Sequence, residues 1–404
     1  MKALIILKST SFEGLLLTVG VALLPVYVFS SGGVQPAHMI LAMFAMAVLL
    51  RKGIPAEIWV IFLAAISFYS FFVESFYTIA GGMPASLINS LFFFYNFFLV
   101  AAIYSYCCRY GLSALAPGVI AACAIAMLAV SVTGVSLQES GQGRATGTFN
   151  NPNQLGYFSV CILSLAYLLY RHGHLKYIVA VGMFLVAIFL SIASLSKAAM
   201  IANFVVAFLA LKPARSASST NNKILNICIA FFWLSLVMFG VTAILVFYLQ
   251  DAFDEFLFIQ RLQGIAQESD SSLQSRGYFA FLSGNSLQII FGLGADGTAE
   301  IVGHEVHSTL ASVFNNNGIV GFLLFSGALL VWALNLWRAY GFVGMCCLAG
   351  PAMLYGITHN GTRFTVFWVL FGASMAMAYR IIKEKNKVKV QRGRLRKSIV
   401  TDAI

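Results

Sequence analysis

The chain has 404 residues, of which 60% are hydrophobic and only 10% are charged, and its formal net charge is +11. Its mean hydropathy of +0.87 lies far above that of soluble globular proteins, so the composition excludes a soluble domain and indicates an integral membrane protein. The positive charge does not indicate nucleic-acid binding, because it is concentrated in short loops and in the C-terminal stretch KEKNKVKVQRGRLRK.

Twelve apolar runs of spanning or near-spanning length follow one another along the chain. About 20 apolar residues cross the hydrocarbon core, and backbone polar groups in lipid must pair within the segment, so the runs are predicted to be helices. The predicted fold is an all-α, polytopic integral membrane protein with about twelve transmembrane helices and one large outer loop. The runs lie near residues 13–31, 37–50, 55–74, 84–107, 112–134, 153–170, 175–193, 197–211, 224–249, 308–336, 341–357 and 363–380.

Basic residues predict the orientation, since cationic side chains are retained on the cytoplasmic side. With both termini in the cytoplasm, 20 of the 25 basic residues fall on the inner side. Residues 1–380 are interpreted as a single transmembrane domain and residues 381–404 as a basic cytoplasmic tail. The outer side keeps most of the acidic residues, Glu74 among them, and five basic ones: Arg144, Lys197, Arg261, Arg276 and Arg363.

The first outer loop, at about 135–152, leads into the segment RATGTFNNPNQLG. Asn150 and Pro152 favour a turn, and Asn153 is predicted to cap the helix that follows. Arg144 is thereby set just above the bilayer at the mouth of a helix. The alternative for Arg144 is an interfacial anchor, and for the asparagines it is a turn and cap role without ligand contact.

The second outer loop, at about 250–307, contains Arg261 and Arg276, passes through the glycine-bearing turn FGLGADG and reaches His304 and His307. A long apolar run begins directly afterwards, so His307 is predicted to lie at a helix start near the membrane surface. The alternative for His307 is a residue that only caps or lines a helix end. His304 is interpreted as a solvated neighbour, and pairing with a nearby acidic residue is the alternative for Arg276.

A polar loop with arginines above a membrane suits a substrate whose anionic group lies at headgroup level and whose tail stays in lipid. A lipid-linked pyrophosphate is such a substrate, and arginine binds phosphate oxygens in pairs. A neutral imidazole accepts a proton from an attacking sugar hydroxyl near neutral pH. Together these residues suggest glycosyl transfer with a polyprenyl pyrophosphate as leaving group. Arg261 and Arg363 are interpreted as interfacial anchors.

Four segments, in order and spread over most of the chain, resemble the O-antigen ligase and Wzy-type O-antigen polymerase superfamily. The first three are RATGTFNNPNQLG (144–156), SLSKAAM (194–200) and SLQSRGYFAF followed by FGLG (272–294). In the fourth, HSTLASVFNNNGIVG, His307 and Ser308 are followed after nine residues by Gly318 and Gly321.

The resemblance implies a GT-C-like enzyme of the bacterial inner membrane with its active site on the periplasmic side. It implies inverting, metal-independent and cofactor-free transfer of a glycan from undecaprenyl pyrophosphate to an acceptor hydroxyl. His307 would activate the acceptor, while Arg144, Arg276 and Lys197 would hold the pyrophosphate. Lys197 stands where relatives often have arginine, and lysine binds phosphate as a point charge. The expected supporting residues are Asn150, Asn153, His304, Ser308 and His359.

Two acceptors are open. An O-antigen ligase passes the glycan to lipid A-core, which is the favoured interpretation, whereas a polymerase passes it to a second lipid-linked glycan. A different class, a transporter of lipid-linked sugars, normally carries ionisable groups or broken helices near the membrane midplane. The predicted spans are nearly free of such groups, which favours an enzyme. The expected partners are the lipid-linked glycan, the acceptor and membrane lipid, and no nucleic acid.

Overall fold

The computed structural model describes residues 11–29, 33–81, 86–133, 144–210, 277–283, 286–303 and 306–401. In these ranges all regular secondary structure is helical, as predicted. The helices are α1 (Phe12–Ala22), α2 (Pro36–Lys52), α3 (Ile58–Gly81), α4 (Ser86–Tyr110), α5 (Leu115–Thr133), α6 (Pro152–Arg171), α7 (Tyr177–Ala193), α8 (Lys197–Ala210), the short 3₁₀ helix Ala280–Ser283, α9 (Ser286–Phe291), α10 (Gly294–Val302), α11 (Thr309–Leu348), α12 (Gly350–Thr358) and α13 (Thr365–Thr401).

Six helical segments in the described part of the chain are long and apolar enough to cross a membrane, so these residues belong to a polytopic membrane protein. The count of twelve spans stays a prediction. Four predicted spans coincide with the shorter helices α1, α2, α7 and α8, and the run 224–249 lies outside the described residues. The runs predicted at 308–336 and 341–357 form one helical stretch, in which Gly318 and Gly341 interrupt the helical backbone.

Helix α6 forms the centre of the bundle. Within the stretch of α6 that is long and apolar enough to cross a membrane, 83% of the residues are buried, because apolar or small side chains occupy every face of the helix. Ser164 Oγ donates to the carbonyl oxygen of Cys347 at 2.9 Å, and Asn203 Nδ2 donates to Ser159 Oγ at 3.0 Å. Polar groups at membrane depth need such internal partners, since lipid supplies none.

Basic side chains gather at one end of the bundle, which we call the basic end. Arg51 forms an ion pair with Glu13 of α1, and Lys52 Nζ lies 4.3 Å from the ring centroid of Tyr110. Lys385 Nζ donates to the carbonyl oxygen of Arg338 at 3.1 Å. Lys385 is helical because α13 runs on past the predicted span into a tail of lysine, glutamine and arginine, which are good helix formers. The grouping matches the charge segregation of the sequence.

At the opposite end, which we call the loop end, the FGLG turn crosses α11 at very short range. The Leu293 N–H donates to the carbonyl oxygen of Asn315 at 2.8 Å. A Cβ atom on Gly318 would overlap the carbonyl oxygen of Ile290, and one on Gly292 would overlap that of Asn316. The two glycine motifs of the sequence are therefore one structural feature, a backbone-to-backbone contact that also kinks α11.

Glu74 anchors this turn from α3. The sequence placed Glu74 at the outer end of a span closing near residue 74, but α3 continues to Gly81 and the carboxylate is buried. It accepts the Ala295 N–H at 3.1 Å, in the first turn of α10, where the helix dipole favours negative charge. Tyr77 donates to the carbonyl oxygen of Gly292 at 2.9 Å and adds a second tie.

Replacing Gly318 with alanine is expected to lower the thermal unfolding temperature of the detergent-purified protein. The new Cβ would overlap the Ile290 carbonyl oxygen. The φ of 62° alone costs an L-residue about 1–2 kcal/mol. Gly173→Ala is the matched control, because Gly173 has a φ of 73° and open space around it. Fluorimetric melting should show a clearly larger loss for Gly318→Ala, and equal losses would contradict the close approach.

Candidate functional site

His307 lies at the loop end, directly before α11, as the sequence predicted. Ser308 caps this helix: its Oγ accepts the Ala311 N–H at 3.3 Å and donates to Tyr278 Oη at 2.8 Å. Tyr278 donates in turn to the carbonyl oxygen of Ile357 at 2.7 Å. Ser308 is fully buried whereas His307 is exposed, so the cap fixes the backbone while the imidazole stays accessible.

Thr309 ties this helix start to the connection between α12 and α13. Its N–H and its Oγ1 donate to the carbonyl oxygen of His359 at 3.2 and 2.9 Å. The same Oγ1 accepts the Gly361 N–H at 2.8 Å. Thr309 follows His307 by two residues, so these bonds hold the backbone of His359 close to His307. In the sequence, 51 positions separate Ser308 from His359.

Asn151, and not Asn153, caps α6. The Asn151 Oδ1 accepts the Gln154 N–H at 2.9 Å. The prediction for Asn153 was wrong because Pro152, with its fixed φ, takes the first helical position and sets the cap one residue before it. Asn153 lies inside the first turn and accepts a hydrogen bond from Arg144 Nη2 at 2.7 Å.

Arg144 bridges two helix ends. Its Nε donates to the carbonyl oxygen of Ser194, just after α7, at 3.0 Å, and its Nη2 donates to Asn153. The acceptors of these two bonds are neutral oxygens, and the two bonds orient the guanidinium. Lys197 begins α8 three residues after Ser194 and is half-buried. Asn150 is exposed, and its Nδ2 donates to the backbone of the α1–α2 connection at 3.2 Å.

Four aromatic rings stack between α6 and α12. The centroid distances are 4.4 Å from His359 to Tyr355, 4.8 Å from Tyr355 to Tyr157 and 5.1 Å from Tyr157 to Phe364. The Tyr355 hydroxyl donates to the carbonyl oxygen of Asn153 at 2.7 Å. Tyr355 thus joins the start of α6 to the connection that carries His359.

These segments surround a cavity of about 170 Å³ at the loop end, which we call the histidine cavity. His307, His359 and Asn153 line it, whereas Arg144 lies behind Asn153 and Lys197 is not part of the lining. Other lining residues include Tyr27, Asn151, Tyr355, Asn360 and Arg363. The structure therefore brings three of the predicted site residues together in one lining, with Arg144 hydrogen-bonded to one of them and Lys197 outside the lining.

Sequence reasoning missed part of this lining. Arg363, interpreted as an interfacial anchor, lines the histidine cavity, and so does Tyr355, which no sequence motif pointed to. Arg276 and His304 lie outside the described residues, as does Arg261, and their roles stay predictions. The signal that could have pointed to Arg363 is its place in HNGTR, four residues after His359 on a short outer connection.

The histidine cavity suits an anion. Its described lining contains the guanidinium of Arg363 and no carboxylate. The N-terminus of α6, with its positive dipole end, opens on the same space through Asn151 and Asn153.

Truncating Tyr355 to alanine is expected to destabilise the protein by about 3–5 kcal/mol, because the ring stack would lose its central member and leave a cavity. Tyr355→Phe keeps the ring and removes only the hydroxyl, so its loss should be about 1 kcal/mol. The stability loss of each variant is measured by denaturant or thermal unfolding of the purified protein. A loss for Tyr355→Phe as large as that for Tyr355→Ala would mean that the hydroxyl, and not the stack, holds α6 to α12.

Compared with models of known protein families, the sequence matches none. A comparison with curated proteins finds no match either. The function is therefore argued from the side chains of the histidine cavity, together with the motif resemblance of the sequence.

Proposed function

We propose that the protein is a membrane glycosyltransferase that moves a glycan from undecaprenyl pyrophosphate to an acceptor hydroxyl, and that it acts as an O-antigen ligase on lipid A-core. The observation that carries the proposal is the histidine cavity. An exposed histidine shares this space with an arginine and a helix N-terminus, and no carboxylate lies in the described lining. A base beside an anion site is what this transfer requires.

The position of the cavity supports a periplasmic reaction. The positive-inside rule assigns the basic end, with Arg51, Lys52 and Arg338, to the cytoplasm. The loop end, with His307, then faces the periplasm. A lipid-linked donor would keep its polyprenyl tail in the bilayer and bring its pyrophosphate to the level of the α6 N-terminus. The reacting groups of the two substrates need not enter the membrane core.

In the proposed step His307 acts as general base. Its neutral imidazole takes the proton of the acceptor hydroxyl while the acceptor oxygen forms a bond to the anomeric carbon of the donor sugar. The bond between the anomeric carbon and the pyrophosphate oxygen breaks, and its electron pair leaves with undecaprenyl pyrophosphate. Attack from the face opposite the leaving group inverts the anomeric centre. The charge that develops on pyrophosphate is what the cations of the site would stabilise.

Three described groups support binding of the leaving group. Arg363 lines the cavity, the N-terminus of α6 presents its positive dipole end, and Arg144 is oriented from behind by neutral oxygens. Lys197 adds a positive charge to the adjoining helix start. Arg276, outside the described residues, is proposed as a further pyrophosphate ligand on the strength of the motif resemblance.

Replacing His307 with alanine is expected to lower the transfer rate by about 10²–10⁴-fold, the usual contribution of a general base. The assay uses the full-length protein in nanodiscs with undecaprenyl pyrophosphate-linked glycan, and it offers lipid A-core and additional lipid-linked glycan as separate acceptors. Product is read on a gel. A single shift of lipid A-core that His307→Ala abolishes would support the ligase.

His174→Ala is the matched control, because His174 is exposed at the basic end and should leave the rate unchanged. A ladder that grows without lipid A-core would make the protein a polymerase, the alternative enzyme. Undiminished product from His307→Ala would remove the histidine from its role. A separate experiment reconstitutes the protein in liposomes. Movement of the intact lipid-linked glycan across the liposome membrane, with no glycan transfer, would instead support a transporter.

Asn153→Asp is expected to raise the KM for the lipid-linked donor at least about tenfold while preserving the folded protein. The new carboxylate would lie at the position of Oδ1, 2.7 Å from Arg144 Nη2, so it would add a negative charge beside the guanidinium and repel pyrophosphate. The measurement is the donor dependence of the rate at two salt concentrations. Asn150→Asp adds the same charge three residues away, outside the cavity lining, and should have a much smaller effect. Similar KM values for both variants would contradict an anion beside Asn153.

A further inference from the structure

A second cavity, of about 160 Å³, adjoins the histidine cavity. The two share the wall residues Phe92, Val306, Asn360 and Arg363, so a ligand in one lies next to a ligand in the other. The second cavity is bounded by α4, by α10 and by the part of α11 before Gly318. We call it the amide cavity, because four asparagines line it: Asn89, Asn316, Asn317 and Asn360.

Some amide groups of this cavity have hydrogen-bonding atoms that no described residue satisfies. Asn317 is 1% exposed, and its Oδ1 has no hydrogen-bond partner within the described residues. Asn89 makes no hydrogen bond to any described residue. An unpaired buried amide oxygen costs about 1–3 kcal/mol, so a ligand that donated a hydrogen bond to Asn317 would remove that cost.

Two of the amides are held in place by one hydroxyl. Asn360 Nδ2 donates to Ser312 Oγ at 3.2 Å, and Asn316 Nδ2 donates to the same atom at 3.4 Å. Asn360 Oδ1 also accepts the Thr362 hydroxyl at 2.8 Å. These contacts fix the orientation of the amide groups before any ligand arrives, which reduces the entropy lost on binding.

The lining favours a neutral ligand with many hydroxyl groups. Each amide offers two N–H donors and a carbonyl acceptor, which together match a hydroxyl that both donates and accepts. The rings of Phe92 and Phe93 provide an apolar face. Asp296 also lines this cavity, and its carboxylate accepts hydroxyl hydrogens while it repels phosphate. Arg363 lies in the wall shared by both cavities, but only the amide cavity has a carboxylate in its described lining.

We propose that the amide cavity binds the sugar ring of the acceptor, the ring that carries the attacking hydroxyl. This inference rests on the proposed function for the identity of its ligand. In the proposed step, the acceptor attacks from the side opposite the pyrophosphate, and the N-terminus of α6 lies in the histidine cavity. The amide cavity is the adjoining space, and Val306, the neighbour of His307, lies in the wall between the two.

Asn89→Leu is the sharpest test variant, since it removes an amide that makes no hydrogen bond to a described residue and puts an apolar side chain of the same branched shape in its place. In the nanodisc assay it should raise the KM for the acceptor about tenfold and leave the KM for the donor unchanged within about twofold. Asn316→Leu should act in the same direction. Asn335→Leu makes the same change on α11 outside both cavities and is the control for loss of an asparagine.

Direct binding separates this inference from the proposed function. Saturation-transfer NMR on the nanodisc protein, without donor, uses glucose, galactose and N-acetylglucosamine as probes. A sugar signal that Asn89→Leu loses and Asn335→Leu keeps supports the amide cavity even if no glycan transfer is found, in which case the proposed function fails alone. A signal of equal strength in both variants, no signal from the wild type, or a changed KM for the donor in place of the acceptor would overturn the inference.

Discussion

Thr309 carries the interaction on which the candidate site depends most. Its N–H and hydroxyl meet the carbonyl oxygen of His359, and the hydroxyl also accepts the Gly361 N–H. Thr309 is buried, so water would not replace a lost partner. This one side chain joins the start of α11 to the connection before α13, and through the ring stack on Tyr355 the arrangement extends to the start of α6.

Features that depend on a short stretch of chain could be predicted from the sequence. α5 was predicted at 112–134 and is found at Leu115–Thr133, and α6 was predicted at 153–170 and is found at Pro152–Arg171. Apolarity over a spanning length is a local property, so these helices need no knowledge of their neighbours. The helix start after His307 could be predicted for the same reason, since a polar segment there meets a long apolar run.

The residues that complete the site could not be predicted, because their roles arise from distant partners. Glu74 accepts an N–H from Ala295, 221 positions away, and Tyr355 donates to Asn153, 202 positions away. Nothing in the periodicity of α3 or α12 indicates either contact. The wrong cap at Asn153 was a different kind of error, since Pro152 was read as a turn former when its stronger effect is to begin the helix.

The connection between α12 and α13 forms part of the wall between the two cavities of the candidate site. It supplies Asn360 and Arg363 to the wall between the two cavities, and its backbone is fixed by Thr309. On one side of that wall lie a histidine and the start of α6, and on the other lie amides and Asp296. In the proposed transfer, the carboxylate of Asp296 would oppose entry of the anionic leaving group into the amide cavity. A shift of this wall would therefore disturb both cavities together, whereas a change to Asn89 or to Asn153 alters one cavity alone.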